Sequence, residues 1–185
     1  MADFFEELDA GHIAFIEEQH LYFVATATDQ GRINLSPKGL DSLRVTSPRE
    51  ILWLNLTGSG NESAAHVLEQ SRMTLMFCSF DRQPLILRVY GQARVSHRDD
   101  ERWSALSRHF PAHPGARQIF VVTIESVQTS CGFAVPRFSL LEERDTLTRW
   151  SEQRGEDGIR RYWQERNATS IDGLSTGMPS DSHPD

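Results

Sequence analysis

Three stretches of this 185-residue chain gather side chains that could do chemistry. In "DQGRINLSPKG", residues 29–39, period-two alternation puts Asn34, Ser36 and Lys38 on one face of a strand and Ile33 and Leu35 on the other. A ligand along that face would meet an amide, a hydroxyl and a cation in turn, which suits a molecule with polar ring edges and a phosphate. The alternative is a barrel strand with a solvated outer face. In "TGSGNES", residues 57–63, a glycine-rich bend runs into a helix whose N-cap is Asn61 or Ser63. Such a bend aims backbone N–H groups at one point, and the hydroxyls of Thr57, Ser59 and Ser63 add donors, as in phosphate cradles. A plain turn with a capped helix is the alternative here. In "LRVYGQARV", Arg88 projects opposite to Leu87 and Val89, toward solvent, a carboxylate or an anion.

Other chemistry is excluded by spacing. The stretch 57–63 lacks the Gly-Lys-Ser/Thr ending of a P-loop, and no GxGxxG fingerprint is present. His20, His66, His97, His109 and His113 share no zinc-ligand spacing, and there is no HExxH, no paired CxxC and no GxSxG. Glu6/Glu7, Glu17/Glu18 and Glu142/Glu143 lie in charged, helix-like runs and read as solvated faces. Cys78 and Cys131 are isolated in apolar stretches and read as small buried hydrophobes. Any catalysis is therefore expected to be supplied by a bound cofactor.

The elements that must position these residues are mostly strands. "FFEELDAGHIAFIEEQ" spaces Phe4, Phe5, Leu8, Ile13 and Ile16 as an amphipathic helix interrupted or capped near Gly11. "HLYFVATATDQGRINLS" is a hairpin turning at Asp29-Gln30-Gly31. "RVTS", "ILWLNL", "RMTLMFCSF", "LILRVYGQARV" and "ARQIFVVTIESVQTSCGF" follow as strands, with a bulge or close backbone approach expected at Gly91. "DDERWSALSRHF" reads as a helix laid on the sheet, and "EERDTLTRWSEQRGEDGIRRYWQER" as further helix. With about six strands in hairpin order and no alternation of strands with helices, an antiparallel barrel or strongly curled sheet is favoured over a doubly wound one.

Length sets one core with an appended helical segment. The formal net charge of −7 argues against nucleic acid or an anionic membrane as partner. No apolar run approaches the roughly 18 residues of a membrane span, and the acidic N-terminus does not resemble a signal peptide, so a cytoplasmic location is expected.

In their order, "ATATDQGRINLSPKG", "ILWLNLTGSGNESAAHVLEQSRMTLMFCSF" and "LILRVYGQARV" resemble the pyridoxamine 5'-phosphate oxidase-like superfamily, the FMN-binding split barrels, from about His12 to Ile124. The stretch from "ERDTLTRW" to "RNATSIDGL" is similar to an extension of one bacterial branch. The resemblance implies a mainly β fold with peripheral helices (α+β): a six-stranded antiparallel split barrel at 1–135 and a C-terminal helical extension at 136–173; by its polar, turn-forming composition 174–185 reads as a disordered tail. It also implies a homodimer with FMN at the subunit interface and a small-molecule substrate. Lys38 would approach the FMN phosphate, Asn34 and Ser36 the flavin or its ribityl chain, and residues 57–63 the phosphate, while Arg88 would border the flavin. Arg144 and Trp150 of the extension would close over it, with plain packing the alternative for Trp150. Asn61, Glu62 and Ser63 stand where the oxidase itself has Ser-Arg-Lys, and the oxidase's C-terminal Arg-x-His is absent, so pyridoxamine phosphate is not the expected substrate. The function implied is an FMN-dependent oxidoreductase. The alternatives are a storage or sensing protein for flavin, deazaflavin or haem, and a cofactor-free dimeric scaffold.

Overall fold

A computed structural model describes residues 2–81 and 83–178. Eight antiparallel strands and four helices follow in the order β1 (Asp3–Phe5), α1 (Ala10–Glu17), β2 (Tyr22–Thr26), β3 (Asn34–Lys38), β4 (Leu43–Ser47), β5 (Glu50–Leu56), α2 (Glu62–Glu69), β6 (Arg72–Cys78), β7 (Leu85–His97), α3 (Trp103–Ser107), β8 (Ala116–Cys131) and α4 (Thr146–Arg166). The sheet runs β3-β2-β6-β7-β8-β5-β4, with β1 added to the far end of β8. β3 and β4 are therefore the two edges of the sheet although only residues 39–42 separate them in the chain. So short a link spans at most about 18 Å, which forces the sheet to curl until its edges approach without pairing. The fold is a split barrel, with eight strands where about six were expected.

Inside the curl lies a core built on Trp53, Phe77, Leu75, Leu87, Val89 and Phe120. Trp53 stacks on Phe120, ring centroids 4.6 Å apart. A second cluster, Leu52, Leu54, Ile119 and Phe110, lies on the other face of β5 and β8 under Trp103 and Leu106 of the α3 region. This double burial explains the continuous apolar runs of β5 and β8.

The hairpin of β2 and β3 turns where expected, with Gly31 at φ +90°. At Gly91 the β7/β8 register shifts, and a Cβ there would sit 2.2 Å from the Thr123 carbonyl oxygen. Gly91→Ala is expected to cost about 1–3 kcal/mol, as overpacking does. A urea midpoint unchanged from wild type would show that the bulge can accept the methyl group.

The N-terminal helix is shorter than its apolar spacing suggests. Asp9 caps it, its carboxylate accepting from His12 N at 2.7 Å while His12 Nδ1 accepts from Asp9 N at 3.2 Å. Residues 3–5 instead pair with Val127–Thr129 of β8. Three residues carry too little pattern to reveal a strand, and the long β8 supplies the edge that recruits them. Asn61 does occupy the N-cap position of α2, yet its side chain caps nothing locally. Cys78 is buried as expected, whereas Cys131, the last residue of β8, is exposed. Residues 174–178, which composition places in the tail, are held in place: Ser170 N donates to Leu174 O at 2.8 Å, and Thr176 is fully buried. Residues 179–185 lie outside the described residues. None of the helices described is long and apolar enough to cross a membrane.

Candidate functional site

A cavity of about 1190 Å³ opens beside the β3–β4 link. Its walls come from the end of α1 (Phe15 to Leu21), the link itself (Pro37 to Ser42), the end of β5 (Trp53 to Gly58), the β6–β7 loop and the segment from Phe138 to Trp150. The interior is aromatic, with Phe15, Trp53, Phe80 and Trp150, while the exposed carboxylates of Glu18, Asp81, Glu142 and Glu143 stand at the rim with Arg144. Phe138 N donates to Phe80 O at 3.0 Å and their rings meet at 5.4 Å, so the C-terminal segment is fastened across the mouth.

Lys38 is the cation inside. The polar face of β3 is its half-buried one, whereas Ile33 and Leu35 are 77% and 63% exposed, the reverse of an ordinary barrel strand. Lys38 Nζ lies 5.0 Å above the Trp53 ring and makes no ion pair among the described residues. Burial, reinforced by the positive charge of Arg117, pulls its pKa down to about 8. Charged Lys38 therefore costs folding free energy below that pH, and the cost is relieved as pH rises toward the ordinary lysine range. An anion beside it would remove the same cost.

Of the ten residues singled out in the sequence, Lys38, Thr57, Arg144 and Trp150 line the cavity. Trp150 is edge-on to Tyr162 at 5.1 Å, with the Arg154 guanidinium 5.0 Å over its ring. Asn34 turns elsewhere: its Nδ2 donates to Ser63 Oγ at 3.1 Å and to Thr26 Oγ1 at 3.4 Å, and Thr26 Oγ1 in turn meets His66 Nδ1 at 3.1 Å. Asn34 and Ser63 thus pin α2 to the β2–β3 hairpin. Ser36 shares their face but is not in the cavity wall, and Ser59 is exposed. Arg88 donates to Ser130 Oγ at 3.2 Å on the outside of the β7/β8 ladder and is also outside the wall.

The stretch 57–63 is gripped by the end of α4. Thr57 Oγ1 donates to Gly115 O and accepts from Trp163 Nε1, both at 2.9 Å. Asn167, fully buried, donates from Nδ2 to Gly58 O at 3.1 Å, accepts at its backbone oxygen from Asn61 Nδ2 at 3.2 Å, and accepts at Oδ1 from Arg117 Nη1 at 2.6 Å. The donors of Thr57 and Asn61 are therefore already engaged within the chain.

Sequence reasoning missed Arg117, Trp163 and Asn167. Arg117 sits at the bulge where Asn55 pairs with Gln118 and Leu56 with Ala116, which turns its side chain inward. It is 2% exposed, and burial holds its guanidinium below the usual arginine range. An arginine set against the apolar run of "ARQIFVV" was the available signal.

The family model for pyridoxamine 5'-phosphate oxidase matches residues 8–131. A protein of Aspergillus flavus, the pyridoxamine 5'-phosphate oxidase family protein ustO, is 35% identical over 94% of this chain and 77% of its own. Among solved structures, a candidate pyridoxamine 5'-phosphate oxidase from Lactobacillus delbrueckii aligns at TM-score 0.53 and 23% identity, over 66% of this chain and 94% of that one. HupZ of Group A Streptococcus aligns at TM-score 0.52 and 17% identity, over 65% and 91%. These two likenesses concern the fold. The split barrel, the family model that covers most of it and the relative that spans nearly the whole chain agree: the chain belongs to the pyridoxamine 5'-phosphate oxidase family.

Proposed function

We propose that this protein is an FMN-dependent oxidoreductase acting on a small substrate, and that the cavity is its cofactor site. The observation that carries the reading is a half-buried lysine with no carboxylate partner among the described residues, set in an aromatic cavity of about 1190 Å³. That volume exceeds the roughly 300–1,000 Å³ of ordinary ligand pockets and leaves room for a flavin and a substrate together. The residues fit the group: Lys38 would hold the phosphate, Trp53 and Trp150 would bound the ring system, and the segment carrying Arg144 would exclude water. When bound, the flavin supplies the electron transfer. The relative and the family model support this reading because both carry the name of an oxidase family. The exposed Ile33 and Leu35, together with Phe133 and Leu141 at 81% and 94% exposure, support a homodimer that buries them.

Lys38→Ala is expected to weaken FMN binding by about 1–3 kcal/mol, the scale of a charge-assisted hydrogen bond. In the wild type, affinity should hold steady while Lys38 is protonated and fall as pH climbs past about 8. The bound phosphate raises that pKa in the complex, so the fall begins near this value and levels off only above the raised one. Titration by flavin fluorescence at several pH values reads both effects, and an unchanged dissociation constant in the variant would remove Lys38 from the phosphate site.

A second reading, haem storage or sensing, rests on His20 in the cavity wall, whose imidazole would hold the haem iron. A Soret band on haem addition, with no uptake of FMN or a deazaflavin, would select it.

A further inference from the structure

On the other side of the Thr57–Trp163 hydrogen bond lies a small cavity of about 70 Å³, lined by Arg98, Arg117, Arg160, His97 and Trp163 together with one carboxylate residue, Asp99. None of these residues touches the large cavity. We propose that this is a second anion site, shaped for one tetrahedral oxyanion or a single phosphate group.

Charge balance is the first argument. Three guanidiniums meet two carboxylates, and those contacts are loose: Arg160 reaches Asp99 at 3.6 Å and Glu156 at 3.3 Å, and Arg98 reaches Glu156 only at 4.0 Å. Arg117 has no carboxylate partner among the described residues. Its Nη1 is satisfied by neutral acceptors, Gly60 O at 3.1 Å and Asn167 Oδ1, while its buried Nε has no partner. A guanidinium in the interior without a counter-charge is costly to desolvate, and an unmade donor adds to that cost. An oxyanion at this point supplies both the charge and the acceptor.

Geometry is the second argument. Arg98 Cζ lies 5.6 Å from the Trp163 ring centroid and 6.0 Å from that of Trp103, so packing against two indoles restrains its fork before a ligand arrives. Arg160 is partly exposed and free to exchange its surface carboxylates for a better acceptor. The space equals about two water molecules at their liquid volume of roughly 30 Å³ each, which admits a phosphate or sulfate and excludes a nucleotide. Because Trp163 joins this pocket to Thr57 in the wall of the large cavity, the anion would lock α4 onto the barrel.

The test is calorimetric titration of the full chain with inorganic phosphate and with sulfate against chloride at matched ionic strength, with and without FMN. Saturable uptake of one anion per chain is expected in both conditions, with a rise in melting temperature. Arg98→Gln and Arg160→Gln, both away from the core, should each weaken uptake about tenfold, the scale of one charge-assisted hydrogen bond, and leave flavin affinity unchanged. Circular dichroism checks that these variants fold. Three results would overturn the site: no saturable uptake at millimolar anion, uptake abolished by FMN because the anion had entered the flavin cavity, or equal affinity in the two variants and the wild type. Failure of FMN to bind leaves this test intact, so the two readings stand or fall separately.

Discussion

Trp53→Ala lowers the free energy of unfolding by about 3–5 kcal/mol, the range for deleting a large buried aromatic side chain. Trp53 is 1% exposed, stacks on Phe120 with the planes 14° apart, and carries Lys38 on its other side. The substitution therefore removes the floor of the cavity together with a central part of the barrel core. Trp53→Phe separates the two roles. It keeps a ring for Phe120 and a weaker face for the lysine, so most of the stability should return while FMN affinity stays reduced. Urea denaturation reads the first quantity and flavin titration the second. A loss under 1 kcal/mol in the alanine variant would mean that the barrel interior does not depend on this stack.

Asn167→Ala destabilises the protein by about 3 kcal/mol, because buried groups lose their partners and one of them is charged. Arg117 Nη1 loses its 2.6 Å acceptor and Gly58 O its donor. The backbone oxygen of Asn167, which serves Asn61 Nδ2 and Thr176 Oγ1, then depends on a helix end that has lost its side-chain anchors. Loosening of α4 should follow, seen as faster hydrogen exchange in residues 146–166 than in the barrel strands. Uniform change across the chain would show that the extension and the barrel unfold as one unit and that Asn167 is no special link.

The strands other than β1 were legible because each had a period-two or fully apolar pattern with turn residues at its ends. The bulge at Gly91 was legible for the same reason, since only glycine leaves room for the Thr123 carbonyl. Legibility failed where a role depends on distant partners. Asn34 and Lys38 share a face of β3, but α2 packs over one end of the strand and the cavity opens at the other, so the first became a strut and the second a cavity wall. The loop 57–63 has the composition of a phosphate cradle, yet "TGSGNES" carries no sign that Asn167, more than a hundred positions away, would engage it. Arg117 was missed because nothing in the sequence shows the β5/β8 bulge that turns it inward. The family resemblance compensated in part, because it identified the extension whose Arg144 and Trp150 do line the cavity.

Equilibrium titration of the purified protein with FMN and, in parallel, with riboflavin tests the central claim most directly, since the two ligands differ by the phosphate assigned to Lys38. The account predicts saturable binding of one FMN per chain, a weaker riboflavin complex, and a difference between the two that disappears in Lys38→Ala. Absence of FMN uptake, or an equal preference for FMN over riboflavin in Lys38→Ala and wild type, would contradict it.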